Sequence, residues 1–206
     1  MDDNQVVSQL TDRVLYLSGD IVDSNTSDIA KQILKINEID KYGVETYRQY
    51  RVMPIQLHVQ SFGGSVYDMW ALIDIIEQST TPIITICEGY CMSAAALIFM
   101  AGHARYMGKH STLMLHQMWT LNAGKINDIG IEIKNTTNLH KHMIKFIKKH
   151  TKLGKKFFKH FDKDKEDVYL SAKKCLKYGI CDEITESSNW REDLLDIMRG
   201  SNQAES

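Results

Sequence analysis

The sequence lacks the features that mark secreted and membrane proteins. Its start, Met1 to Gln5, has neither a positive charge nor an apolar core, so no signal peptide is predicted. Glu88 interrupts the longest apolar stretch, so no transmembrane helix is predicted either. The 206 residues carry a formal net charge of −1, which creates no overall field in favour of nucleic acid or a membrane surface. We therefore expect a cytoplasmic protein that binds neither of them.

The sequence also lacks a recognisable metal site. None of its four cysteines forms a C-x-x-C pair, and a reducing compartment would keep them as free, partly buried thiols. Four histidines in the C-terminal half have no carboxylate or cysteine at ligand spacing, so they are interpreted as exposed polar positions. The cysteines are Cys87, Cys91, Cys175 and Cys181, and the histidines are His140, His142, His150 and His160.

What the chain does contain is enough apolar sequence for one core and a single basic stretch. Hydrophobic residues make up 43% of the sequence, which suits one domain of this length. Between Lys141 and Lys159 there are eight lysines and no acidic residue. A patch for nucleic acid or an acidic partner is one interpretation. We favour the other, a solvated lysine face on an amphipathic helix predicted over 128–150.

One hydroxyl lies where a nucleophile is often held. Pro82 to Cys87 has the pattern of a buried strand, and Ala94 to Ala101 has the alanine-rich character of a buried helix. Ser93 therefore falls at a strand-to-helix junction. A sharp turn there exposes the side-chain oxygen, and the first N–H groups of the helix face a developing oxyanion. The alternative is that Ser93 only caps a buried helix.

Two further residues are candidates to activate this serine. His116 follows the short apolar run Thr112 to Leu115, which places it at the end of a buried element. Asp167 lies between a heavily charged segment and a predicted amphipathic helix. A nucleophilic serine needs a general base, and the base usually needs an orienting carboxylate. Paired glycines in Ser61 to Ser65 allow a main-chain N–H to approach a reacting centre, although most such pairs are only turns.

The order of these pieces resembles one family. The glycine pair is followed by G-x-x-x-S-x-x-A, then by L-H-Q, and near the end by D-x-[FY]-L-S-A. From Arg13 to Ile184 the combination is similar to the proteolytic subunits of Clp proteases, the ClpP family. The resemblance implies an α/β fold, a ClpP/crotonase-like spiral of ββα units with a projecting handle helix at about 120–150. It divides the chain into a short N-terminal segment (1–12), a serine peptidase domain (13–186) and a C-terminal tail (187–206).

The resemblance also implies roles for single residues. Ser93 would be the nucleophile, His116 the general base and Asp167 the carboxylate that orients the imidazole. The oxyanion hole would use the main-chain N–H groups of Gly64 and Ala94. No cofactor or metal is implied, since ATP would be used only by a partner unfoldase.

The chain departs from the family pattern in several places. Phe62 stands where the family has a proline before the glycine pair, and Ala94 replaces the methionine after the nucleophile. Trp119 lies in a bulkier segment after the histidine than the usual P-L-G-G. Residues 38–53 form an insertion of roughly ten residues, which we interpret as an ordinary surface loop. The alternative interpretation is a contact for a neighbouring subunit or a partner.

The resemblance implies a serine endopeptidase that hydrolyses unfolded polypeptides inside a homo-oligomeric chamber of two stacked heptameric rings, a tetradecamer. A Clp-type ATPase unfoldase is the further partner implied, although the twelve residues before Arg13 are few for the segment that such docking partly uses. One alternative is a processing or capsid-maturation protease that works without an unfoldase. Others are a catalytically silent ring subunit and a crotonase-type acyl-CoA enzyme, but neither has a chemical reason to keep Ser93, His116 and Asp167 together.

Overall fold

A computed structural model of the chain describes residues 13–119, 124–164 and 167–185. The predicted N-terminal segment (1–12) and C-terminal tail (187–206) lie outside these ranges. Within them the chain forms a mixed α/β structure with a mostly parallel sheet, which confirms the predicted fold class. No helix in the described ranges is long and apolar enough to cross a bilayer.

Seven strands in the described residues form one sheet. They are β1 (Val14–Ser18), β2 (Ile55–Ser61), β3 (Ile83–Met92), β4 (Ala104–Gly108), β5 (Thr112–Leu115), β6 (Val168–Ser171) and β7 (Glu183–Thr185). Five of them run parallel in the order β1-β2-β3-β4-β7. The last residues of β3 leave β4 and pair in parallel with β5, and β5 pairs with β6 in antiparallel register. Strand β3 therefore connects the main sheet to the β5–β6 corner.

Six helices accompany the sheet in the part of the chain that the structure describes. They are α1 (Asp23–Thr46), α2 (Val66–Glu77), α3 (Ala94–Met100), α4 (Ile126–His150), α5 (Lys155–Asp164) and α6 (Ala172–Lys177). Helix α2 packs against α1 and α3, and α1 and α3 pack against the sheet. Every residue of α3 is buried, so this short helix lies in the centre of the core. Burial of its apolar side chains compensates for its shortness, because helices this short are marginal alone.

The interpretation of residues 38–53 as a surface loop is wrong for most of the segment. Helix α1 continues to Thr46, well into the insertion. The absence of a side chain at Gly43 lets the ring of Tyr50 pack against this part of the helix, since a Cβ there would come within 2.5 Å of that ring. Asp40, on the same helix, binds Arg13 and the Tyr50 hydroxyl. Contacts from distant parts of the chain thus stabilise a helix that its own sequence predicts only weakly.

The long helix predicted over 128–150 is present as α4, which begins at Ile126 and ends at His150. Its last turns are anchored, since Met143, Phe146 and Ile147 are buried. Ile126 and Ile131, on its first turns, are 87% and 69% exposed. The helix therefore joins the core at one end and presents apolar side chains to solvent at the other.

All four cysteines are free and buried in the core, more completely than the sequence predicted. Burial is the main cause that raises the pKa of Cys91, and it also raises the pKa of Cys181 to about 12. These thiols therefore stay protonated at neutral pH and are poor nucleophiles. Among the described residues, no group of three or more histidine, cysteine or acidic side chains is arranged to hold a metal ion.

Candidate active site

The candidate nucleophile lies on a strained turn between β3 and α3. Of the non-glycine residues in the described ranges, only Ser93 has a positive φ, with φ 54° and ψ −123°. Its N–H donates to the carbonyl of Met114 at 2.9 Å, and its own carbonyl accepts from the N–H of Ala96 at 3.0 Å. The buried helix α3 begins directly after this turn. The turn resembles the strand-to-helix elbow that exposes the serine side chain in α/β-hydrolases.

His116 lies beside this serine. Its Nε2 atom is 2.6 Å from the Oγ atom of Ser93. Strand β5 brings the two together because Met114 pairs with Met92, and His116 follows β5 as Ser93 follows β3. The next residue, Gln117, donates from Nε2 to the carbonyl of Phe161 at 2.9 Å, which fixes the chain just after the histidine. A neutral imidazole at this distance accepts the hydroxyl proton.

The glycine pair lies against the same turn. A Cβ on Gly63 would come within 2.7 Å of the Ser93 Cβ and 3.1 Å of the Ala94 nitrogen. A Cβ on Gly64 would come within 2.3 Å of the Ile21 carbonyl oxygen. Both positions thus exclude any side chain. The loop is tied to Ile21 by two main-chain hydrogen bonds of 2.8 Å, one to the Gly63 carbonyl and one from the Ser65 N–H.

These contacts leave two N–H groups beside the serine. The two hydrogen bonds of Ile21 use the Gly63 carbonyl and the Ser65 N–H, and neither uses the N–H of Gly64. Among the described residues, neither the Gly64 N–H nor the Ala94 N–H donates a hydrogen bond. Gly64 and Ala94 both line the cavity into which Ser93 opens. Free donors at such a position can stabilise a developing oxyanion.

Asp167 is close in register but is not engaged. Strand β6 pairs with β5 so that Val168 lies opposite Leu115, and the next pair in this antiparallel register is Asp167 and His116. The aspartate side chain is nevertheless exposed, and in the described part of the chain it forms no hydrogen bond to His116. The structure thus brings Ser93, His116, Gly64 and Ala94 together, but it leaves the Asp167 side chain exposed and without a hydrogen bond to His116.

The cleft at Ser93 has a volume of about 150 Å³ and a largely apolar wall. Sequence reasoning missed this wall because it is formed by residues from distant elements. The wall consists of Val66, Met69, Leu97, Leu115, Met118, Trp119 and Met143. An apolar side chain beside a scissile bond fits such a surface.

The sequence profile of the Clp protease family matches residues 2–188. The chain belongs to the Clp protease family. It is 28% identical over 177 residues to the ATP-dependent Clp protease proteolytic subunit of Carsonella ruddii, covering 85% of this chain and 84% of that protein. The subunits of the same name from Bacteroides fragilis (strain ATCC 25285) and Deinococcus radiodurans are 27% identical over 177 residues and 25% over 182. These two alignments cover 85% and 87% of this chain, and 80% and 83% of the relatives.

Family membership confirms the resemblance found in the sequence. A serine-type peptidase, in the hydrolase class, fits both the family and the Ser93 site. The match favours a Clp protease subunit over the crotonase-type alternative. The assignment of single residues to catalytic steps is a separate matter and depends on the geometry above.

Proposed function

We propose that the chain is a serine endopeptidase that hydrolyses peptide bonds of unfolded polypeptides through Ser93, His116 and Asp167. The observation that carries the proposal is the 2.6 Å contact between the Ser93 Oγ and the His116 Nε2, at a serine held in a strained turn. Strain of this kind persists only where the surrounding structure imposes it, and it is concentrated at active sites. A simple helix cap does not need it.

The chemical steps follow from this arrangement. His116 Nε2 removes the hydroxyl proton as Ser93 Oγ attacks the peptide carbonyl carbon. The N–H groups of Gly64 and Ala94 stabilise the negative charge that forms on the carbonyl oxygen. His116 then donates the proton to the leaving amine, and an ester to Ser93 remains. Water, activated by the same imidazole, hydrolyses the ester and restores the serine.

Asp167 completes the site in this proposal by a change of side-chain rotamer. Support for this comes from the β5–β6 register, in which Leu115 pairs with Val168, the neighbours of His116 and Asp167. A rotation that brings the carboxylate to Nδ1 would fix the tautomer that leaves Nε2 free to accept. A Ser93–His116 dyad is the outcome if Asp167 does not turn inward.

We propose further that the protease works as a homo-oligomer, two stacked heptameric rings around a chamber, with a Clp-type ATPase as a partner. The relatives are described as proteolytic subunits of ATP-dependent proteases, which implies assembly with other chains. Ile126, Ile131 and Ile133 on α4 are all more than half exposed, as expected for a surface that another subunit covers. Enclosure would restrict a promiscuous peptidase to polypeptides that are unfolded and threaded in.

A fluorophosphonate probe tests the proposed nucleophile, because it reacts only with an activated serine. We expect one adduct, located on Ser93 by peptide mapping, and complete loss of labelling and of peptide hydrolysis in Ser93→Ala. Ser24→Ala, which removes an exposed hydroxyl from α1, is the matched control and should label like the wild type. Absence of an adduct on an assembled ring, or hydrolysis that persists in Ser93→Ala, would contradict the proposal.

A further inference from the structure

Two aromatic rings stack at the edge of the Ser93 site. The ring centroids of Phe62 and Tyr90 are 4.3 Å apart, with an interplanar angle of 29°. Phe62 is 63% exposed and Tyr90 is half-buried, so core packing does not account for the contact. Stacking of two aromatic rings is attractive beyond the area that it buries.

The two rings belong to the two segments that form the proposed oxyanion hole. Phe62 directly precedes Gly63 and Gly64, whose loop would provide one N–H donor. Tyr90 lies on β3 three residues before Ser93 and pairs with Thr112 of β5. The stack therefore joins the glycine loop to the strand that carries the nucleophile.

The backbone of the Gly63–Gly64 loop needs contacts to hold its conformation, because glycine restricts its own backbone angles very little. Gly63 and Gly64 have φ values of 109° and 152°, and Gly89, just before Tyr90, has φ 81°. Glycine populates many backbone conformations, so a loop containing two of them is held by its contacts rather than by sterics. The hydrogen bonds to Ile21 fix the outer side of the loop. The Phe62–Tyr90 stack fixes its start against β3.

We propose that Phe62 and Tyr90 are positioning residues, which hold the Gly64 N–H at the distance from Ser93 that the oxyanion requires. The inference rests on the proposed peptidase function. Because the negative charge exists only in the transition state, a displaced donor lowers kcat and leaves substrate binding unchanged. If the exposed Phe62 ring instead bound substrate directly, its loss would raise KM.

Steady-state hydrolysis of a short peptide by the assembled protein separates these two roles. For Phe62→Ala and for Tyr90→Ala we expect kcat to fall about 10-fold, the scale of one lost aromatic pair, while KM stays within about 2-fold. Phe62→Tyr and Tyr90→Phe retain both rings and should recover kcat. Phe62→Ala/Tyr90→Ala should be no slower than either single variant, because each already breaks the stack.

Tyr42→Ala is the matched control, because Tyr42 is also an exposed aromatic residue in a ring contact, with Tyr47, on the insertion. It should leave kcat unchanged. A raised KM at constant kcat, unchanged kinetics, or additive losses in the double variant would each overturn the inference. Fluorophosphonate labelling of the wild type distinguishes the two proposals: if Ser93 labels and Phe62→Ala is unaffected, only the positioning role fails.

Discussion

Asp40 and Asp167 are two aspartates in very different surroundings. Asp40 is buried, receives hydrogen bonds from Arg13, Tyr50 and Thr81, and forms an ion pair with Arg13 at 2.5 Å. Asp167 is exposed and unpaired in the described structure, although the sheet places it opposite a histidine. The Asp40 carboxylate, which stabilises the fold, has its hydrogen-bond partners within the chain. The Asp167 carboxylate, which is proposed to act in catalysis, is free to bind His116.

The contrast has a physical basis. A buried charge needs all its partners present, since a missing one costs several kcal/mol. Asp40 meets this condition through partners from three separate segments of the chain, Arg13, Tyr50 and Thr81. An exposed carboxylate is hydrated, so the absence of an ion-pair partner costs little free energy. Substitution of Asp167 should therefore lower turnover, whereas substitution of Asp40 should lower the stability of the fold.

The largest effect is expected from Asp167→Asn. The amide would orient His116 with the wrong tautomer, so kcat for a short peptide should fall on the order of 10⁴-fold. Stability should change by less than about 0.5 kcal/mol, because the side chain is exposed. Stopped or discontinuous peptide assays give kcat, and urea unfolding gives the stability. A loss of less than about 10-fold would identify a Ser93–His116 dyad instead.

Asp40→Asn should show the opposite pattern. The change leaves the Arg13 guanidinium buried without its counter-charge, and removing one partner of such a pair typically costs about 3–5 kcal/mol of the free energy of unfolding. Turnover per folded molecule should be unchanged, because the pair is part of the fold and not of the cleft. Urea unfolding monitored by circular dichroism measures the loss. A decrease below about 1 kcal/mol would show that water replaces the network.

The smallest effect is a difference in pH dependence. Burial opposes ionisation of Asp40, but hydrogen bonds from Arg13, Thr81 and Tyr50 outweigh it and lower the pKa of this carboxyl. A lowered folded pKa means that the stabilisation is complete above the ordinary aspartate value of about 3.9 and is lost as pH falls through the folded value. The stability difference between wild type and Asp40→Asn should therefore narrow as pH is lowered from about 5 to 3. A stability difference that stays constant between about pH 5 and 3 would contradict a lowered pKa of Asp40 in the folded protein.

Local pattern was sufficient to place Ser93 at a strand-to-helix junction, because both flanking segments are strongly apolar. The end of the strand was not predictable in the same way. We predicted it to end at Cys87, whereas β3 continues to Met92 by pairing with β5 after leaving β4. That change of partner is a long-range event, with no signal in the residues 88–92 themselves.

The remaining differences have the same origin. Residues 38–46 were interpreted as part of a loop, whereas α1 extends through them, and the bonds from Asp40 to Arg13 and Tyr50 that help to hold them are not visible in a local pattern. Phe62 and Tyr90 are 28 residues apart and share no motif, so their stack could not be anticipated. The orientation of the Asp167 side chain depends on a rotamer, which no sequence pattern determines.

The backbone conformation at Ser93 also lowers the stability of the fold. A φ of 54° is a conformation that glycine adopts freely and that every other residue adopts at a penalty. The residue that would make the turn most stable is therefore not the one that is present. The surrounding core has to supply the difference in stability. A glycine at this position would relieve the strain but would remove the proposed nucleophile.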